Sequence, residues 1–97
     1  MITNKQRKFL RANAHQLKPV VSAGNAGLSE GVMHEIEGAL SHHELIKIRI
    51  SGAERDDIKT MADTICENMD ASLVQIIGHV VIIYRPAKDP KIQLPKA

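Results

Sequence analysis

The chain has 97 residues, a formal net charge of +2, one cysteine and two aromatic residues, Phe9 and Tyr84. That length suits one domain, and 43% hydrophobic with 25% charged residues is neither disordered nor membranous in type. A lone cysteine excludes an internal disulfide, no apolar run approaches the ~20 residues of a membrane span, and two aromatics weigh against folds that stack successive RNA bases, so a small cytoplasmic domain is expected.

Thr3 followed by Gln6 forms a capping box and predicts a helix from there to about Ala14. On a 100° wheel Phe9, Leu10, Ala14 and Leu17 share the side expected to be buried, while Arg7, Lys8, Arg11 and His15 gather on an adjacent arc. The segment from Lys18 to Ser22 is β-branched and carries Pro19 near its start, as a first strand would. Gly24-Asn25-Ala26-Gly27 is a loop, after which Ser29 is placed to cap a second helix, with Leu28 able to staple onto Met33. Val32, Ile36, Ala39 and Leu40 make that helix's apolar stripe, Glu30, Glu35 and Glu37 load it with negative charge, and it should end near His43.

Leu45 to Ser51 alternates, with Ile46, Ile48 and Ile50 facing one way and Lys47, Arg49 and Ser51 the other, as in a half-buried strand. After Gly52, residues from Glu54 to Asp57 open a third helix carrying Ile58, Met61, Ala62, Ile65 and Met69 at helical spacing, with Cys66 in the same stripe. Ser72 to Ile77 and Val80 to Arg85 are apolar runs joined by Gly78-His79, a connection that fits a type II′ hairpin. Val80 to Ile83 does not alternate and predicts a strand covered on both faces. Pro86, Pro90 and Pro95 with three lysines make residues 87–97 an extended basic tail. The order α-β-α-β-α-β-β over residues 1–97 defines a single α/β domain. Its sheet is mixed and four-stranded; right-handed crossovers place the second and third helices on one face and leave the first for the other.

Charge is unevenly placed along this domain. Residues 1–28 hold five bases and no acid, residues 29–70 four bases against ten acids, and residues 71–97 four bases against Asp89 alone. A basic face with an acidic back would produce that pattern. The sharpest local signal is the loop from Gly24 to Gly27. It reads either as an ordinary strand-to-helix turn or as a loop laid against a nucleic-acid backbone, with the start of the second helix at Ser29 facing a phosphate. Lys18 and Arg11 lie just upstream as phosphate partners. Lys47 and Arg49 either extend the basic surface or keep a sheet face wet, and Arg85 and Lys88 lead into the basic tail. No Gly-Lys-Ser/Thr follows the loop, so it is not a mononucleotide site. The histidines lack the i, i+4 spacing of a helical zinc site and Cys66 has no second thiol, so neither a metal, a cofactor nor a catalytic residue is expected. His15 and His79 remain able to approach RNA as neutral donors.

Leu17-Lys18-Pro19-Val20-Val21, the segment from Gly24 to Ser29, the segment from His43 to Ile48, and Val81-Ile82-Ile83-Tyr84-Arg85-Pro86 occur in an order and spacing that resembles the CRM domain, the chloroplast RNA splicing and ribosome maturation domain, in its bacterial stand-alone form. The resemblance implies a fold like the C-terminal domain of translation initiation factor three. It also implies an RNA-binding domain associated with precursors of the large ribosomal subunit. The reading adopted is a non-enzymatic protein, expected as a monomer, that binds precursor ribosomal RNA and assists assembly of that subunit. The family's glycine loop maps onto Gly24 to Gly27, and with the basic residues read above the expected RNA contacts are Lys5, Arg7, Lys8, Arg11, Lys18, Gly24, Asn25, Ala26, Gly27, Ser29, Lys47, Arg49, Arg85 and Lys88. The family often has Lys or Arg inside the loop where this chain has Asn25 and Ala26, so charge must come from the loop's neighbours. The rival reading is a protein-interaction adaptor docking through the acidic second and third helices.

Overall fold

A computed structural model describes residues 2–24 and 27–96. The elements follow in the expected order: α1 (Asn4–Ala14), β1 (Val21–Ala23), α2 (Glu30–His43), β2 (Leu45–Ile50), α3 (Arg55–Met69), β3 (Ser72–Ile77) and β4 (Val80–Tyr84). They build one four-stranded sheet in the order β1-β2-β4-β3, with β1 parallel to β2 and the other pairs antiparallel. The two most apolar strands, β2 and β4, are therefore central, and short β1 is left at an edge.

Alternation along β2 and β4 sorts the core into two layers. Ile46, Ile48, Ile50, Val81 and Ile83 pack with Ile36 and Leu40 of α2 and Ile58, Ala62 and Ile65 of α3. On the opposite face Leu45, Val74, Ile82 and Tyr84 bury Leu10 and Ala14 of α1. Strand β3 keeps both layers by a bulge: its register passes from Leu73 opposite Ile83 to Gln75 opposite Ile82. The extra residue, Val74, joins the α1 layer, while Leu73 and Ile76 pack on the other side. Gly78 has φ +56 and His79 is not among the positive-φ residues, the pattern of a type II′ connection.

The caps follow from sequence. Thr3 and Gln6 bond reciprocally at 3.0 and 3.1 Å, and the Ser29 hydroxyl accepts from the Val32 amide. The apolar side of α1 is narrower than expected. Leu10 and Ala14, one turn apart, are fully buried, whereas Phe9 is 37% and Leu17 38% exposed. Phe9 sits 100° round the helix from Leu10, and Leu17 lies past the helix end.

Glu44 is the one buried charged residue among those described, only 3% exposed, at the junction of α2 and β2. Its carboxylate accepts hydrogen bonds from the amides of Ala87 (3.0 Å), Lys91 (3.1 Å) and Ile92 (3.0 Å). The described residues after β4 form no helix or strand, yet these bonds fold the segment back, so that Ile92 and Leu94 join the α1 layer and the Pro95 carbonyl accepts from Gln6 Nε2. Burial by itself would push the Glu44 carboxyl up, but the three amides and the Lys91 charge hold it below the ordinary carboxylate value. Glu44 also has φ +66 with ψ −49, outside the left-handed α well, a sparsely populated conformation that costs on the order of 1–3 kcal/mol.

Glu44→Ala keeps that strain and strands three amides. It should lower unfolding free energy by about 3 kcal/mol in urea titrations, with Glu44→Gln, which retains an acceptor, losing less. Because the folded-state pKa lies below the unfolded one, this contribution is full above roughly pH 4.3 and fades as pH falls through the folded value. The stability gap between wild type and Glu44→Gln should therefore narrow on acidification; a gap constant from pH 7 to pH 3 would refute the role of the ionised carboxylate.

Candidate nucleic-acid interface

Helix α1 covers Leu45, Ile82, Tyr84 and Val74, and leaves open the part of its sheet face nearest the C-terminal ends of β1 and β2. Since Ile46, Ile48 and Ile50 point into the α2/α3 layer, Lys47 and Arg49 must point to this open side. Arg49 is exposed and in register with Ser22 of β1, itself exposed between buried Val21 and Ala23. The Val20 amide donates to the Lys47 carbonyl at 3.0 Å, which brings the segment following exposed Lys18 beside the same strand. From α1, Arg11 and His15 border a hollow with Gln75 and Ile77, and Lys8 is exposed on the helix's outer surface. Lys8, Arg11, Lys18, Lys47 and Arg49 are thus gathered on one side of the sheet.

The glycine loop leaves the end of β1 on this same rim. Gly24, Gly27, Ser51 and Gly52 share one hollow, and Ser51 and Gly52 also line a second with Arg49, His79 and Val80. The two glycines differ. The Gly27 amide donates to the Gly24 carbonyl at 2.9 Å, closing a turn, and Gly27 has φ +69, which favours glycine. Gly24 lies outside that region, and a Cβ there would meet no atom of the described residues within 4 Å. The fold therefore requires glycine at 27 and not at 24. Asn25 and Ala26, both expected to contact RNA, lie outside the described residues. Ser29 is exposed and spends its hydroxyl on the cap of α2.

His79 Nδ1 lies 3.1 Å from the Ile50 carbonyl, an acceptor, so that nitrogen carries the ring proton and Nε2 of the neutral ring is left as an acceptor. The expected role of His79 as a neutral donor changes accordingly, since its one N–H is committed to the sheet.

Other expected contact residues stand elsewhere. Arg85 reaches to the α2/α3 side, where its guanidinium pairs with Glu37 and donates to Ser41 Oγ and the Met69 carbonyl at 3.1 Å each. That pairing draws the Glu37 carboxyl below its usual range and raises the Arg85 guanidinium. Arg7 donates to the Leu73 carbonyl and Asn4 Oδ1. Lys5, on the first turns of α1, and Lys88, in the arm beside Ala87, are exposed at the end of the sheet away from the glycine loop. Glu44 was missed by sequence reasoning; the available signal was an acid set between a helix end and an alternating strand.

The acids are on the other side. Glu30, Glu35 and Glu37 lie on α2, and Asp56, Asp57, Asp63 and Glu67 on α3, with Lys59 paired to Asp63 at 2.7 Å on an exposed turn. The uneven charge along the chain is thus a front and a back. Asp57 borders the hollow beneath the glycine loop, so an anion is better matched from the α1 side. Burial pushes the Cys66 thiol up to about 11, and no group of three metal-ligating side chains occurs among the described residues. None of the described helices is long and apolar enough to cross a membrane.

A mixed sheet with two helices behind, one in front and a glycine loop on a basic rim defines a class of small α/β domain that presents one charged face. Within that class, the chain belongs to the CRS1 / YhbY (CRM) domain family, whose model matches residues 2–85. It is 47% identical over 95 residues to a Haemophilus influenzae protein named "RNA-binding protein", covering 98% of this chain and 96% of that one. A Bacillus subtilis protein named "Probable RNA-binding protein YqeI" is 34% identical over 96 residues, covering 98% of this chain and all of that one. The solution structure of a hypothetical Staphylococcus aureus protein superposes with a TM-score of 0.87 at 38% identity, covering 98% of this chain and 100% of that one.

The contrast between the glycines is measurable by denaturation. Gly27→Ala should cost about 1 kcal/mol or more, whereas Gly24→Ala should leave stability within about 0.5 kcal/mol of wild type.

Proposed function

We propose that the chain is a monomeric, non-enzymatic RNA-binding protein that grips precursor ribosomal RNA and assists assembly of the large ribosomal subunit in the cytoplasm. The observation that carries this reading is the gathering of Lys8, Arg11, Lys18, Lys47 and Arg49 on the side away from the acidic helices, ending at a glycine loop whose first glycine the fold does not need. The names of the relatives support the class of ligand. The resemblance to stand-alone CRM proteins supports the ribosomal setting.

In mechanism, the five bases neutralise phosphates along the open sheet face, and the loop admits the RNA backbone at Gly24, where a side chain would stand in its path. Asn25, Ala26 and Ser29 belong to this contact as the loop and the start of α2; Lys5 and Lys88 add charge at a distance. Arg85 holds α2 to the end of β4 and Arg7 ties α1 to β3, so both act on the fold first. With charge and backbone doing most of the binding, the surface reads RNA shape ahead of sequence.

Five neutralised phosphates on a single strand give a slope of log K against log salt of roughly −3.5. Replacing Arg11, Lys18 and Arg49 together by Gln should bring it to about −1.4. Gly24→Ala should weaken binding at unchanged stability, and Arg85→Ala should lose stability while keeping the slope. A wild-type slope near zero, or a triple variant that binds as wild type, would overturn the assignment of the basic front. Crosslinking in cells should enrich precursor large-subunit RNA; recovery of tRNA or messenger RNA in its place would overturn the ribosomal setting. An adaptor docking through the acidic helices would keep its partner in the triple variant.

A further inference from the structure

We propose that the cleft between the end of α1, the approach to β1 and the C-terminal arm receives one unstacked base of the bound RNA. This rests on the RNA-binding reading above and adds to it a place where a base is held. The cleft has a volume of about 380 Å³, within the range of small-ligand sites. Leu17, Val20 and Ile92 contribute apolar wall, and Asn13, His43 and Lys18 contribute polar groups. Leu17 is 38% and Val20 49% exposed, two of the large apolar side chains that the fold leaves uncovered.

The chemistry of the lining matches a nucleobase, which has two apolar faces and a polar edge. Aliphatic walls take the faces. Asn13 donates from Nδ2 to the Phe9 carbonyl at 2.9 Å, which fixes its amide and leaves Oδ1 as an acceptor for the base edge. Charge decides the occupant. Lys18 lines the cleft and belongs to the basic front, so the phosphate attached to an inserted base meets a cation there. Position agrees: from Val20 to Gly24 is four residues of extended chain, about 13 Å, so the cleft and the glycine loop lie at the two ends of one lane past Ser22 and Arg49. The wall at Ile92 is in turn held by the bond from its amide to Glu44.

The test uses a ten-nucleotide single-stranded RNA and a set of the same RNA with one abasic residue moved along it. Wild type should lose about five- to tenfold in affinity when one particular position is abasic. Val20→Ser and Leu17→Ser, at half-exposed positions whose folding is checked in urea, should lose a similar factor on intact RNA and nothing further on that abasic RNA, with the salt slope unchanged. In parallel, the Leu17, Val20 and Ile92 methyl resonances should shift on titration with adenosine monophosphate. Salt-dependent binding that is indifferent to every abasic position sinks the base site and leaves the RNA-binding reading standing; no salt-dependent RNA binding at all sinks both. Methyl shifts produced by raising protein concentration alone, or by an acidic peptide in place of the nucleotide, would assign the cleft to protein contact and overturn the proposal.

Discussion

The buried carboxylate of Glu44 is the interaction on which the rest of the structure leans. It sits where α2 turns into the central strand β2, and it collects the amides of Ala87, Lys91 and Ile92 from a segment with no secondary structure of its own. Burying a charge is costly unless hydrogen bonds replace its water, and here backbone donors from a distant part of the chain do so. The result is topological as well as energetic. The arm is returned across the α1 side of the sheet, where Ile92 and Leu94 complete a layer that Leu10 and Ala14 of a single helix would leave open. The positive φ at Glu44 follows from the same geometry: the helix must end and the strand begin with one residue between them, while that residue's side chain stays inside.

Strand β2 then converts sequence alternation into a division of charge. Ile46, Ile48 and Ile50 are each 1% exposed or less, and a slip of one residue would carry them to the front and bury Lys47 and Arg49. The cost of burying two unpaired cations enforces the register, so the residues that form the basic front also specify the pairing that puts them there. The acids of α2 and α3 fall on the back for a matching reason, since each helix buries its apolar stripe against the sheet and turns its charged side outward.

Most of this is legible in the sequence. The Thr3–Gln6 capping box, helical spacing, the alternation of β2 and the Gly78-His79 turn are local signals, and each matched the element formed. What was not legible depended on long-range partners. Arg85 reads as one more base before a proline-rich tail, and only the approach of Glu37, forty-eight positions away, reveals a packed ion pair. Glu44 looks like one acid among ten until the arm closes on it. The bulge at Val74 leaves no mark in an apolar run, because either register satisfies hydrophobicity. Phe9 marks the opposite failure: a wheel gives direction, but the width of the buried stripe is set by what packs against it.

On the proposed reading, the basic front has affinity built in and little means of choosing among RNAs. Cations on a sheet face and an open glycine would contact groups that every nucleotide possesses, and so would position a strand without identifying it. Discrimination would then come from shape or from a base taken out of the stack. The chain has no exposed Tyr or Trp to stack on, and Phe9 is turned to the flank of α1. Aliphatic side chains are the remaining apolar surface, and the front offers them at Leu17 and Val20, beside the lysine that begins the first strand's approach. Affinity from the cations and selectivity from the cleft would therefore be separable properties of one face, the first fading with salt and the second persisting, because apolar burial does not depend on counterion release.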